Sequence, residues 1–487
     1  MKKLLMFLPF LVIGLYSIQS QEIPDSVRRT VDYTIRSSVD TGSAYAHYAS
    51  QHPSVFTFVN NDGSVTVCVS DDSAKMTYIY EYSADLAERK THKFKNELDM
   101  LGAFTKDNDG SYYFFYGSKT NSKTVNNMAM VKYDKDGKSV RSFKLVANAP
   151  NSFSGIQTPF DAGTCRLELS GSMLAVYFAR GMFDGHQASY GFVLDKNTFA
   201  RVDKGAATHP DVGANTQMPY VSHSFNEFIL PVDNGFVFVD HGDAYPRGFT
   251  FAKFQNGVNT KRLHAFKFPG QVGQNATFSE MGGLAKTSTG FIFTGTHAKD
   301  ASTPRNLLVL TIRDDLGAYN PPVYITNYTT EKFHIAHPKI TAMDSGKYLL
   351  MWELYGFGSG QTGYQGTHML IIDERGNRLS DIRKIEGARL NMNDVLRYNK
   401  QNGKIYWSIT DSNKSITVYA LDIGKPGAAA IQQPAAAPEQ PPPAASTPAP
   451  ATPSTNNTPT QPSNPWPVPK PTTPAPAPDK PKNTWPF

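Results

Sequence analysis

The chain has 487 residues, 40% of them hydrophobic and only 18% charged, which is enough to bury a large core. Its formal net charge of +6 is spread thinly over that length, so it lacks the dense Lys/Arg patch that binding a nucleic-acid backbone requires. The 37 glycines, 24 tyrosines and 30 phenylalanines favour many short strands and tight turns over long, charge-covered helices.

Lys2 and Lys3 precede an apolar run from Leu4 to Tyr16, followed by small residues at Ser17 and Ser20. The pattern predicts a signal peptide over residues 1–20 and a chain that is secreted, extracellular or at the cell surface, or in the periplasm or envelope of a bacterium. No later stretch approaches the roughly 18 apolar residues of a membrane span, so no transmembrane segment is expected. Next comes a strand-like segment, Val27 to Ile35, expected to return to the last repeat as its outer strand and close a ring.

From here one pattern recurs: a glycine, an alternating β run, a polar loop and a second β run. The anchor glycines are Gly63, Gly110, Gly171, Gly235, Gly290, Gly346 and Gly403, about 57 residues apart on average, the spacing of a four-stranded propeller blade with generous loops. Asn61-Asp62-Gly63, Asp233-Asn234-Gly235 and Asn402-Gly403 read as tight turns in which glycine supplies a positive φ. A single blade cannot bury its alternating apolar face alone, which is why the unit repeats. The expected fold is all-β, a seven-bladed β-propeller over residues 21–423. Cys68 and Cys165 fall in the first and third repeats and are read as buried, unpaired residues.

After Asp422 the composition changes: more than half of the 34 prolines lie beyond it, among Ala, Thr, Ser and Gln. Residues 424–487 are expected to form a disordered, polyproline-rich tail. Its two Trp-Pro islands, at Trp466 and Trp485, suggest docking to another protein or the cell surface, and an inert spacer is the alternative.

The richest polar stretch lies in the fourth repeat, with His223 before the first strand and His241, Asp243, Tyr245 and Arg247 after the second. Propeller geometry puts both positions on one face. Equivalent positions elsewhere carry Arg180, His297, His337 and Glu353, so that face is the candidate ligand site. Aromatic platforms beside carboxylates suit sugar rings, whose apolar faces stack while their hydroxyls hydrogen-bond. The alternative is a structural loop in which Arg247 pairs locally. No catalytic triad, Walker loop, zinc motif or cysteine cluster occurs, and no cofactor or metal is expected.

The seven glycine-anchored hairpins resemble secreted β-propeller repeat proteins in architecture, without the signature of a narrower family. That resemblance implies fold, not function. The expected role is recognition of an extracellular glycan or protein through one face. The rival is a carbohydrate-active propeller enzyme, a glycoside hydrolase or lyase pairing Asp243 or Glu353 with His241, and a third possibility is a structural envelope component.

Overall fold

Each glycine-anchored repeat folds into one antiparallel sheet, and seven such sheets form a β-propeller. The computed structural model describes residues 21–39, 53–149, 152, 154–160, 163–203, 220–300, 302–329, 333–356 and 363–423. The proposed signal peptide and the proline-rich segment lie outside the described residues, among which there is no helix.

The strands nearest the axis are Val55–Val59, Met100–Lys106, Cys165–Ser170, Ser224–Val232, Ser279–Lys286, Phe333–Ala342 and Arg397–Asn399, in blades one to seven. Second strands such as Val65–Asp71, Tyr112–Gly117 and Gly235–Gly242 are buried along their whole length, because neighbouring blades cover both of their faces. Outer strands such as Glu88–Lys95 and Ser139–Val146 are largely exposed. Aromatic rings fill the seams. Phe115 packs against Phe160, Phe178 and Phe192 between blades two and three, and Phe249 lies 4.6 Å from Phe293 between blades four and five. Each such buried ring stabilises the fold by about 1.5–3 kcal/mol. Cys68 and Cys165 are both free and buried.

All seven anchor glycines sit at the turn between first and second strand. Five take a positive φ, from 58° at Gly171 to 87° at Gly110. The fourth repeat differs from expectation: Asn234 takes the left-handed conformation, at φ 54°, and Gly235 does not. Gly235 is needed there for a different reason, since a Cβ on it would lie 2.0 Å from the Phe254 carbonyl oxygen.

The ring closes through the N-terminal segment. Asp25–Thr30 pairs antiparallel with Ser415–Asp422, as the outer strand of blade seven. The ladder therefore starts and ends earlier than the apolar pattern suggested. Val31, Tyr33 and Ile35 alternate because they pack inward, where the Tyr33 ring stacks 3.9 Å from Tyr78 of blade one. Gln21–Glu22 adds in parallel to the outer strand of blade six, Arg383–Ile385.

Two faces result. One, the turn face, carries the turns between first and second strands. The other, the loop face, carries the connections between blades and the loops after each second strand, including Asp243 to Arg247.

Candidate functional sites on the loop face and the axis

On the loop face, blade four holds His223 at the start of its inner strand in a left-handed backbone conformation, φ 53°. A non-glycine residue held there is strained, and such strain concentrates at functional positions. Its Nδ1 lies 3.0 Å from Oδ1 of Asp243, which is fully buried while the His223 side chain remains 30% exposed. The Asp243 amide also donates to the His223 carbonyl. Apart from this ion-pair contact, neither Asp243 carboxylate oxygen accepts a hydrogen bond. The imidazole and the buried carboxylate thus meet at ion-pair distance without a formed hydrogen bond. The His186 ring lies 4.9 Å away, with its Nε2 3.0 Å from the Ser222 hydroxyl. Tyr245, 52% exposed, is the large aromatic of this loop that faces solvent.

The other expected site residues are placed differently. His241 is fully buried against Phe225, Phe249 and Phe268, with Nε2 2.9 Å from the Thr277 hydroxyl. Burial and the nearby Arg247 push its pKa down to about 3, so it is neutral at ordinary pH. The Arg247 guanidinium donates to the carbonyls of Pro269, Asp243, Gln274 and Ala276, clamping the following loop. Arg180 is fully buried, with Nη1 donating to the carbonyls of Ser152 and Gly155. His297 turns toward Tyr324 on the outer strand of blade five, 3.1 Å from its hydroxyl. His337 repeats the left-handed conformation of His223, at φ 51°, and its amide donates to Glu280. Glu353 is buried and saturated by Arg389, the Leu390 amide and the Tyr355 hydroxyl. The structure thus joins His223 and Arg247 to Asp243, buries His241 beside Arg247, and leaves Arg180, His297 and Glu353 in separate surroundings.

A second cluster lies on the axis, built from Arg166, Glu168, Lys339, Asp394 and Arg397. Sequence reading missed it, although Arg166 and Glu168 alternate with apolar residues and so share one face of the inner strand of blade three. Arg397 Nη2 donates to Glu168 at 3.3 Å, Arg166 Nε to the Glu227 carbonyl at 2.8 Å, and the Thr57 amide to Asp394 at 2.7 Å. Burial raises Glu168 above the usual carboxylate range, although Arg397 and Arg166 pull the other way. Burial and then Arg166 push Lys339 down to about 7, against the opposing pull of Asp394, Glu280 and Glu353. Beside this cluster, Glu227 and Asp240 form a buried carboxyl pair with the Ser224 hydroxyl between them, 2.9 and 3.0 Å from the Asp240 oxygens. Tyr177 donates to Asp240 at 2.6 Å. Among the described residues, no group of three or more His, Cys, Asp or Glu side chains is arranged to hold a metal ion.

No protein-family model matches the chain, and no curated protein matches it. Solved structures do. A protein of unknown function from Dyadobacter fermentans is 8% identical at a TM-score of 0.37, covering 70% of this chain and 98% of its own. An α-L-arabinofuranosidase from Lactobacillus brevis is 14% identical at 0.31, with 60% and 96% covered. A Trypanosoma rangeli sialidase in complex with sialic acid is 11% identical at 0.35, with 72% and 59% covered. At these identities the likeness concerns the fold and nothing in the sites described above.

Proposed function

We propose that the chain is a secreted, carbohydrate-active propeller that works at its loop face, with His223 as the acid–base residue oriented by Asp243. The observation that supports this is the 3.0 Å contact between a solvent-reaching imidazole and a fully buried carboxylate. A buried carboxylate against the ring is placed to orient it, and an oriented, solvent-reaching imidazole is what proton transfer to a substrate requires. Exposed Tyr245 offers a flat apolar platform for a sugar ring beside it. His241, fully buried and neutral, is not suited to the acid–base role first considered for it. An imidazole in place of a second accessible carboxyl favours elimination from an acidic sugar over two-carboxylate hydrolysis.

One observation supports the second reading, recognition without turnover: the Glu353 carboxylate on the same face is already saturated by protein donors. A panel of neutral and uronate-containing polysaccharides, with products followed by ultraviolet absorbance and reducing-end analysis, separates the two. The enzyme reading expects unsaturated or reducing products and a fall of about a hundredfold or more in His223→Gln. Binding without products, unchanged in His223→Gln, would leave recognition alone standing.

A further inference from the structure

A cavity of about 410 Å³ opens on the turn face at the axis. Its rim is exposed at Pro231, Lys286 and Ala342. Its wall is largely apolar, with Phe58, Phe228, Leu230, Leu284, Ile340 and Leu396, and the Glu168–Arg397 pair and Lys286 interrupt it from blades three, seven and five. One residue deeper on three inner strands stand Thr57, Glu227 and Lys339, Asp394 precedes the inner strand of blade seven, and Arg166 stands two residues before Glu168 on the inner strand of blade three. The cup therefore has a largely aromatic and aliphatic lining, with a charged layer one or two residues beneath it along the chain.

That layer sets its cations among the carboxyl groups of Glu168, Glu227, Asp394, Glu280 and Glu353, but leaves the Arg166 fork short of hydrogen bonds. Arg166 uses Nε on the Glu227 carbonyl, and its two terminal nitrogens make no hydrogen bond to the described residues. Lys339 donates to the Met392 carbonyl at 3.0 Å. Asp394 accepts from the Thr57 amide, and Glu168 is engaged by Arg397. Arg166 is half-buried, so its fork reaches open space although it lies deep in the molecule. A planar guanidinium with both terminal nitrogens free is matched by a carboxylate bound through two parallel hydrogen bonds.

We infer that the axial cup is a second binding site, distinct from the loop-face dyad, for a small organic carboxylate with an aromatic or aliphatic body. The carboxylate meets Arg166 and Lys339, and the body fills the ring of Phe58, Phe228 and Leu396. The volume is in the usual range for a small-molecule site. Lys339 faces Arg166, Asp394, Glu280 and Glu353, and its depressed pKa adds that this layer is most cationic below neutral pH.

The test uses the full chain and calorimetric titration with benzoate, with benzamide as the uncharged control. Benzoate should bind at least about tenfold tighter than benzamide, and Arg166→Met and Lys339→Met should each weaken it about tenfold or more, as loss of a charge-assisted contact predicts. Arg166→Lys keeps the charge without the fork and serves if the methionine variant does not fold; an intermediate loss is expected. His223→Gln should leave benzoate binding unchanged, which separates this site from the proposed enzymatic one. Equal affinity for benzoate and benzamide, no measurable binding of either, or wild-type binding by folded Arg166 and Lys339 variants would overturn the proposal.

Discussion

Glu227 and Asp240 place two carboxyl groups against one serine hydroxyl in the fully buried interior of blade four. Burial pushes Asp240 up to about 7 and Glu227 well above its ordinary value, so the pair keeps at least one proton at neutral pH. Between about pH 4 and 7 this pair holds more protons in the folded chain than in the unfolded one. The pair's contribution is therefore complete below about pH 4 and lost as pH rises through about 7. His241 has the opposite sign, because its folded value of about 3 lies below the ordinary 6.5. Its contribution is complete above about pH 6.5 and lost as pH falls. Urea unfolding of the double variant Glu227→Gln/Asp240→Asn between pH 5 and 8 should show stability rising to about pH 6.5 and then level, where the wild type declines above that pH. A variant that keeps the wild-type decline would show that another group titrates. At this scale the sequence displayed the charges without their surroundings. His223 and Asp243 were readable as neighbours from propeller geometry, whereas the burial of His241 depends on three phenylalanines from different parts of blade four.

Among elements, the turns between first and second strands show two uses of the same residue type. Gly171 has open space where a Cβ would stand but takes φ 58°, while Gly235 has an ordinary φ and a carbonyl oxygen 2.0 Å from that position. Alanine at 171 should cost about 1 kcal/mol for its left-handed backbone. Alanine at 235 must displace the Phe254 backbone and should cost more, about 2–3 kcal/mol. Chemical unfolding of the two variants gives the order, and an equal or reversed order would mean the strands shift freely. These turns were legible because the Asp-Gly and Asn-Gly signals are local. The axial cluster was not, because Arg166, Lys339 and Asp394 are far apart in sequence and meet only when the inner strands converge.

For the whole molecule, the expected seven-bladed architecture is found because period, alternation and turn chemistry agree at every level. The return of the N-terminal strand was legible too, though its ladder is displaced by two residues at its start. Removing residues 21–30 would leave Ser415–Asp422 as an open edge. Such a chain should melt at least about 4 °C lower, and should associate as its concentration rises, measured by scanning calorimetry and light scattering. A truncated chain that stays monomeric with an unchanged melting temperature would show that blade seven does not depend on its outer strand.

The same closure sets a timetable for making the protein. Asp25 has Ala420 as its partner, so one of the first structured residues to be synthesised waits for one of the last. Blades one to six can assemble as the chain emerges, but the circle stays broken until residue 422 is available, with the apolar faces of the terminal blades uncovered at both ends of the arc. The nascent chain therefore spends most of its synthesis as an open arc prone to sticking to its neighbours. Moving the N-terminal strand to follow residue 422, as a circular permutant, would let it meet Ser415–Asp422 as soon as it is made, in place of waiting through the synthesis of the whole ring.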